Sequence, residues 1–181
     1  MYHLLDCAVA QGERVAALTL EATDAQAAER DWIIGHAFAP LPLQPLRLRC
    51  SARTDAVLPA LRQVPVPLMT RALYSALYAA GVANIDTYAA EIFSSEGRLL
   101  SDQYLAFNVV GAVHSGAPAA GPQLSTSRLD AAGAKGLLLF RVIDAPYALV
   151  ASEVLRQRLL QLVGPQGLAG VLFKPAASWR L

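Results

Sequence analysis

The side chains that could perform metal or nucleophilic chemistry are few in this sequence, and they are widely spaced. The three histidines are His3, His36 and His114; no two are four residues apart, and none lies beside a cysteine. A protein zinc site needs several such ligands that converge on one point. Ser115 follows His114 in a segment that lacks the first glycine of the Gly-x-Ser-x-Gly nucleophile motif, so we interpret both as loop residues. The sequence predicts no metal site and no catalytic serine.

The carboxylates, cysteines and glycines also give no clear indication of a catalytic, metal or cofactor site. Glu91 and Glu96 flank the exit of a predicted strand, which is an ordinary position for acidic residues. Cys7 and Cys50 have no partners at zinc-ligand spacing, so we predict two free thiols. The glycine-rich stretch at 164–170 follows a predicted helix and precedes a strand, which is the reverse of the order in a dinucleotide-binding loop. We therefore predict no catalytic residues, no cofactor and no enzymatic activity.

Two polar residues interrupt otherwise apolar strands. Arg141 lies within the apolar segment 137–143, where a buried guanidinium would need an acidic partner because an unpaired buried charge is very costly. The candidate partners are Asp86, Glu91, Asp144 and Glu153. Asn108 likewise lies among apolar residues on one predicted strand face, which Tyr104 shares. Arg141, Asn108 and Tyr104 are therefore candidates for a ligand or partner site at the rim of the sheet. The alternatives are a hydrogen-bonded structural pair or exposure on an edge strand.

Two helices are predicted around these strands. Thr70 can cap a helix from Arg71 to Ala80, and Gly81 supplies the residue that commonly ends a helix. Ser152 can cap a second helix from Glu153 to Val163, which ends at a Gly-Pro pair. The apolar residues of each helix repeat at helical spacing: Leu73, Ala76, Leu77 and Ala80 in the first, and Leu155, Leu159, Leu162 and Val163 in the second.

The remaining elements are mostly strands. Apolar runs and alternating patterns predict strands at 2–9, 14–20, 46–50, 85–93, 104–113, 137–143, 147–151 and 170–173. A weaker capping pattern at 23–26 favours a short helix, and the Gly-, Ala- and Pro-rich stretch 114–122 indicates a loop. Strands outnumber helices and do not alternate strictly with them. The pattern therefore predicts an α+β fold with a mixed, mainly antiparallel sheet and a few packed helices.

Composition narrows the class of protein. The chain has 181 residues, of which 55% are hydrophobic and 16% are charged, and its net charge is +1. This composition favours a single domain over 1–181 with a large core. The sequence has no cluster of Lys and Arg residues of the kind that binds nucleic acids. The N-terminus lacks the pattern of a signal peptide, and no apolar run is long enough for a membrane span, so we expect a cytoplasmic protein. We predict that residues 1–66 form a β-rich N-terminal part. The helix and strand patterns of residues 67–175 are clearer.

Four pieces of the second part form a recognisable series. They are Thr70-Arg71-Ala72-Leu73 with the later Ala80-Gly81-Val82-Ala83-Asn84-Ile85, then Tyr104-Leu105-Ala106-Phe107-Asn108-Val109-Val110-Gly111, then Leu139-Phe140-Arg141, and finally Ser152-Glu153-Val154 leading to Gly167-Leu168-Ala169-Gly170-Val171-Leu172-Phe173-Lys174-Pro175. In this order and spacing they resemble a bacterial immunity-protein family that accompanies polymorphic toxins. It is the eleventh immunity class, formerly a domain of unknown function, and the resemblance covers about three fifths of the chain, from Pro67 to Pro175.

The resemblance implies a protein that binds a cognate toxin and blocks it sterically, without chemistry of its own. The expected partner is therefore a toxin protein, with no nucleic acid and no membrane; the oligomeric state and the interface residues are not predicted. Because the chain is nearly neutral, we expect a toxin that is not a strongly basic nuclease, or a mostly apolar contact. A small-ligand-binding or regulatory domain and an unrecognised enzyme are the alternative interpretations.

Overall fold

The computed structural model describes residues 1–10, 12–21, 31–38, 45–51, 56–114, 132–168 and 170–175. Within these residues the chain forms eleven strands and two helices. The strands are β1 (Tyr2–Cys7), β2 (Leu18–Leu20), β3 (Leu46–Cys50), β4 (Leu61–Arg62), β5 (Leu68–Thr70), β6 (Ile85–Ser94), β7 (Leu99–Val109), β8 (Ala112–Val113), β9 (Leu139–Val142), β10 (Ala145–Ser152) and β11 (Val171–Pro175). The helices are α1 (Arg71–Ala79) and α2 (Glu153–Gly167). The predicted α+β class is confirmed.

The strands form two sheets, and most neighbouring pairs are antiparallel. The first sheet has five strands in the order β11-β1-β10-β9-β8, and the second has six in the order β2-β3-β6-β7-β5-β4. Only the β3–β6 and β8–β9 pairs are parallel among these strands. Each sheet combines strands from the N-terminal part and from the later part of the chain. The β-rich residues before 67 therefore complete both sheets.

Both helices begin where the sequence places a capping side chain. The Thr70 hydroxyl accepts a hydrogen bond from the Leu73 backbone N–H at 3.2 Å, and Ser152 accepts one from Leu155 at 3.2 Å. These bonds satisfy amides that have no partner within the first helical turn. The second helix is interrupted at Gly164, whose φ of 63° and ψ of 178° are not helical. The helix was predicted to end at this point, and the structure instead has a kink there.

Apolar side chains pack in three clusters on the faces of the two sheets. The central cluster lies between the sheets and beneath the helices, and it includes Leu5, Leu149, Phe107, Val109, Leu77 and Leu155. Successive strand residues point to opposite faces, so Tyr104 and Ala106 on β7 face a second cluster with Trp32. Phe140 and Val142 on β9 face a third. Each sheet is therefore packed on both faces.

The sequence-based prediction of one strand over 104–113 was wrong. The strand β7 ends at Val109, and Ala112–Val113 pairs with β9 in the other sheet. Gly111 allows this change of sheet, since its φ of 112° lies in a region that other residues rarely adopt. Its N–H donates to the carbonyl of Gly35 at 2.8 Å, which fixes the crossing point. One apolar run thus supplies strands to both sheets.

Other predicted bounds differ by smaller amounts. The strand expected at 14–20 is reduced to Leu18–Leu20 and an isolated bridge at Val15, and the strand expected at 137–143 is Leu139–Val142. Leu162 was placed on the buried stripe of the second helix but is 53% exposed. The helix expected after residues 23–26 and the loop after His114 lie outside the described residues.

Candidate functional site

The predicted site residue Arg141 lies in the packed region between the two sheets. It is fully buried on β9, and its Cζ atom lies 5.8 Å from the centroid of the Phe107 ring. Its Nη1 donates to the side-chain oxygen of Gln63 at 2.9 Å and to the carbonyl of Pro146 at 3.0 Å. Both acceptors are neutral. A cation is therefore held in the core by an amide, a carbonyl and an aromatic ring.

No acidic partner for Arg141 is found among the described residues. The ion pairs of this part of the chain do not include it, so the expectation that Asp86, Glu91, Asp144 or Glu153 would pair with it was wrong. The Nε and Nη2 atoms are buried without a hydrogen-bond acceptor in the same residues. Burial lowers the pKa of Arg141 to about 10, so the guanidinium still carries its charge at neutral pH.

The other two candidates, Asn108 and Tyr104, bind backbone carbonyls. The Nδ2 of Asn108 donates to the carbonyl of His36 at 2.6 Å. The Tyr104 hydroxyl lies 2.8 Å and 3.0 Å from the carbonyl oxygens of Leu58 and Pro59. Burial raises the pKa of Tyr104, so its hydroxyl remains a donor at neutral pH. Each side chain attaches β7 to a preceding segment of the chain.

Arg141 is not brought together with the other two candidates. Phe107, which lies against Arg141, is on one face of β7, whereas Tyr104 and Asn108 are at even positions on the other face. The three candidates therefore do not form one polar site. Tyr104 and Asn108 have the contacts of structural anchors, and of the three only Arg141 retains buried donor nitrogens that have no acceptor among the described residues.

A cluster around Glu153 was not predicted from the sequence. Glu153, the first residue of α2, accepts hydrogen bonds from His3 on β1, from Arg156 at 2.7 and 2.9 Å, and from Gln157 at 3.1 Å. The bonds from Arg156, with a smaller contribution from His3, lower the pKa of Glu153 to about 2. The Glu153–Arg156 spacing was a local signal for part of this cluster, but nothing local indicates His3.

The outer side of the two helices exposes large apolar residues. Tyr78 on α1 is 66% exposed and has its ring centroid 6.2 Å from that of Tyr74, and Leu162 on α2 is 53% exposed. A shallow groove of about 310 Å³ lies between the helices and is lined by Ala79, Ala80, Gly81, Arg158, Gln161 and Leu162. We refer to Tyr74, Tyr78, Gly81, Arg158 and Leu162 as the helix-pair surface.

Arg158 fixes the geometry of this surface and contributes to its charge. Its Nη1 donates to the carbonyl of Ala80 at 3.0 Å, at the end of α1, where the helix dipole favours a positive group. Gly81 has a φ of 96°, which favours glycine, and a Cβ atom there would lie 3.0 Å from Nη1 of Arg158. The two helices contain three arginines and one glutamate, so their own side chains carry a formal charge of +2.

A larger groove of about 600 Å³ lies near the start of the chain. It is lined by Ala8, Val9, Ala10, Glu13, Val57, Leu58, Pro59, Ala60, Thr70 and Gly170. Its ionisable side chain, Glu13, accepts a hydrogen bond from the Ala10 N–H at 3.1 Å. Across the described residues, no three His, Cys, Asp or Glu side chains come together in a way that could hold a metal ion.

Comparison with known proteins does not identify a family. A scan of the sequence against protein-family models finds no match, and a search of the curated proteins finds none either. The resemblance to toxin-immunity proteins therefore remains a prediction. The helices within the described residues are also too short or too polar to cross a membrane.

Proposed function

We propose that this protein is an immunity protein that binds a cognate bacterial toxin in the cytoplasm and blocks it sterically, without catalysis. The proposal joins the family resemblance of residues 67–175 to one observation, the helix-pair surface. Tyr78 and Leu162 expose apolar side chains on the two neighbouring helices, and Leu162 lines the groove between the helices together with Arg158. Exposed apolar residues that form a patch are typical of protein interaction sites.

The residue types on the helix-pair surface support binding to a protein. Tyrosine and arginine are enriched among the residues that contribute most to protein interfaces, and leucine supplies apolar area. Both helices are backed by the central core through Leu73, Leu77, Leu155 and Leu159. A surface on two packed helices loses little conformational freedom on binding, and this favours affinity.

The charge of the surface defines the partner further. The helix pair is positive and the whole chain is nearly neutral. A strongly basic nuclease would be repelled by this side of the molecule, whereas a toxin with an apolar, mildly acidic surface would be complementary. We therefore propose a toxin of the second kind.

The test is co-expression of the full chain with the toxin protein encoded beside it, scored by growth rescue and co-purification. We expect the wild type to rescue growth and the double variant Tyr78→Ala/Leu162→Asp to fail. A matched control is Tyr147→Ala/Leu172→Asp, which changes the same residue types at positions 60% and 41% exposed on the first sheet. The proposal fails if the wild type neither rescues growth nor co-purifies with the toxin.

Small-ligand binding is the second candidate function, and one observation favours it. The buried Arg141 retains two donor nitrogens, Nε and Nη2, without an acceptor among the described residues. This candidate does not depend on toxin binding, and the two functions are compatible because they use different parts of the molecule.

A further inference from the structure

The guanidinium of Arg141 donates from only one of its three nitrogens within the described structure. Nη1 donates to Gln63 and Pro146, as given above. The N–H groups of Nε and Nη2 lie side by side on another edge, which is the edge that binds the two oxygens of a carboxylate in bidentate pairs. Both of these atoms are buried and have no hydrogen-bond acceptor among the residues that the structure describes. The arrangement is a donor pair for a planar anion.

The surroundings of this edge select the kind of anion. Leu139 and Leu149 are fully buried on the same face of the first sheet as Arg141, and the centroid of the Phe107 ring lies 5.8 Å from Cζ. The bonded neighbours, Gln63 and Pro146, are neutral. Because Arg141 is the one cation in this set of contacts, an anion with a single charge balances it, whereas a phosphate dianion would leave an excess charge in the core.

We propose that Arg141 binds a small monocarboxylate, which accepts the Nε and Nη2 hydrogen bonds together while its apolar portion contacts the surrounding side chains. Gln63 and Pro146, which bind Nη1, are partly exposed, and Val64 beside Gln63 is 56% exposed, so we expect the ligand to enter past the Gln63 side chain. This proposal goes beyond toxin binding and does not rest on it.

The first experiment measures the thermal stability of the full chain in sodium acetate and in sodium butyrate. Sodium chloride at equal ionic strength is the control, and sodium phosphate is a further arm. A ligand that binds only the folded protein raises Tm, by roughly 5 to 10 °C for a chain of this size at about 100 times its Kd. We expect a saturable rise with the carboxylates and none with chloride. No saturable rise with either carboxylate, or a larger rise with phosphate, would overturn the proposal.

A variant of the covering residue tests the site without removing Arg141. Gln63→Glu places a carboxylate within bonding distance of Nη1 and neutralises the guanidinium from inside the protein. We expect this variant to have a higher Tm than the wild type when no carboxylate is added. We also expect that acetate no longer raises its Tm. Gln161→Glu makes the same chemical change at an exposed position on α2 and should retain the rise. Equal acetate responses in Gln63→Glu and in the wild type would contradict the proposal.

Two further readouts identify the group that binds. Arg141→Met removes the donors while keeping a long apolar side chain, and it should abolish the acetate response if it folds. The Nε–H signal of Arg141 in protein labelled with ¹⁵N-arginine provides an independent measurement on the wild type, so the answer does not depend on that variant. Acetate should move this signal along a saturable curve with the same Kd as the Tm rise. A signal that stays unchanged at saturating acetate would overturn the proposal.

Discussion

The carboxylate of Glu153 connects the first strand to the second helix. It accepts from His3 on β1 and from Arg156 and Gln157 on α2, and the Glu153 N–H donates to the carbonyl of Met1 at 2.9 Å. The side-chain donors favour the ionised carboxylate, so its pKa falls from 4.5 to about 2. A group with a lower pKa in the folded state stabilises the fold above its unfolded pKa, and this stabilisation is lost as the pH falls.

We therefore predict an acid-sensitive contribution from Glu153. As the pH falls from 4.5 toward about 2, the free energy of unfolding of the wild type should decrease more steeply than that of Glu153→Gln. Urea unfolding at a series of pH values measures both slopes. Glu96→Gln removes an exposed carboxylate from the β6–β7 turn and should follow the wild type. Identical slopes for the wild type and Glu153→Gln would contradict the prediction.

Tyr78 is the residue on the helix-pair surface with the largest exposed aromatic area. A tyrosine that becomes buried at the centre of an interface typically contributes at least about 2 kcal/mol, so Tyr78→Ala should raise the toxin Kd by roughly 30-fold or more. Stability should not fall, because the side chain is 66% exposed and alanine favours the helix. Titration calorimetry measures the toxin Kd, and a thermal melt measures the stability of the variant. Tyr147→Ala, 60% exposed on β10, is the matched control, and an equal loss of affinity in that variant would exclude a specific role for Tyr78.

Among the secondary-structure elements, α1 depends on its first residue. Thr70 accepts the Leu73 N–H, and α1 has no acidic residue in its first turn to assist it. Thr70→Ala should therefore lower the free energy of unfolding by about 1 kcal/mol. Thr70→Ser keeps the hydroxyl and should remain close to the wild type. Denaturant titration of the three proteins tests this, and equal losses in both variants would show that the methyl group of Thr70, not its hydroxyl, stabilises the helix.

Elements whose signals are local could be predicted from the sequence. The Thr70 and Ser152 caps act on amides three residues away, and the alternation of buried and exposed residues in Leu46–Cys50 matches the period of a strand with one buried face. The change of sheet at Gly111 could not be predicted in this way. An apolar run specifies strand formation, but the choice of partner strand depends on contacts that the run itself does not contain.

The candidate sites show the same distinction between local and distant signals. The apolar neighbours of Arg141 in the sequence indicated that its charge is in an unusual position. Its hydrogen-bond partner Gln63, however, is 78 positions away in the chain. An acidic partner was the reasonable expectation on energetic grounds, and the neutral one depends on how the two sheets pack. His3 and Glu153 are 150 positions apart, so their contact has no trace in the sequence. The helix-pair surface was missed because the helical period placed Leu162 on the buried stripe.

At the scale of the whole molecule, the two helices carry the exposed apolar side chains that we propose as a binding surface. Both sheets supply residues to the central core, and the helices cover that core while exposing Tyr78 and Leu162. The net charge of the chain is only +1, so its long-range field is weak even though the helix pair is locally positive. If the proposed toxin is the partner, short-range fit must therefore supply most of the affinity, since weak fields steer diffusing partners only slightly.

This charge distribution predicts how the toxin complex responds to salt. Association without strong steering has rate constants of about 10⁵ to 10⁶ M⁻¹s⁻¹, and we expect a change of less than about tenfold between 50 and 500 mM salt. Stopped-flow mixing measures the rate directly. Tyr78→Ala should increase the dissociation rate and leave this salt dependence unaltered, because contact quality acts mainly after encounter. A rate constant near 10⁹ M⁻¹s⁻¹ that falls steeply with salt would instead indicate a highly charged partner, and the proposed apolar contact would have to be abandoned.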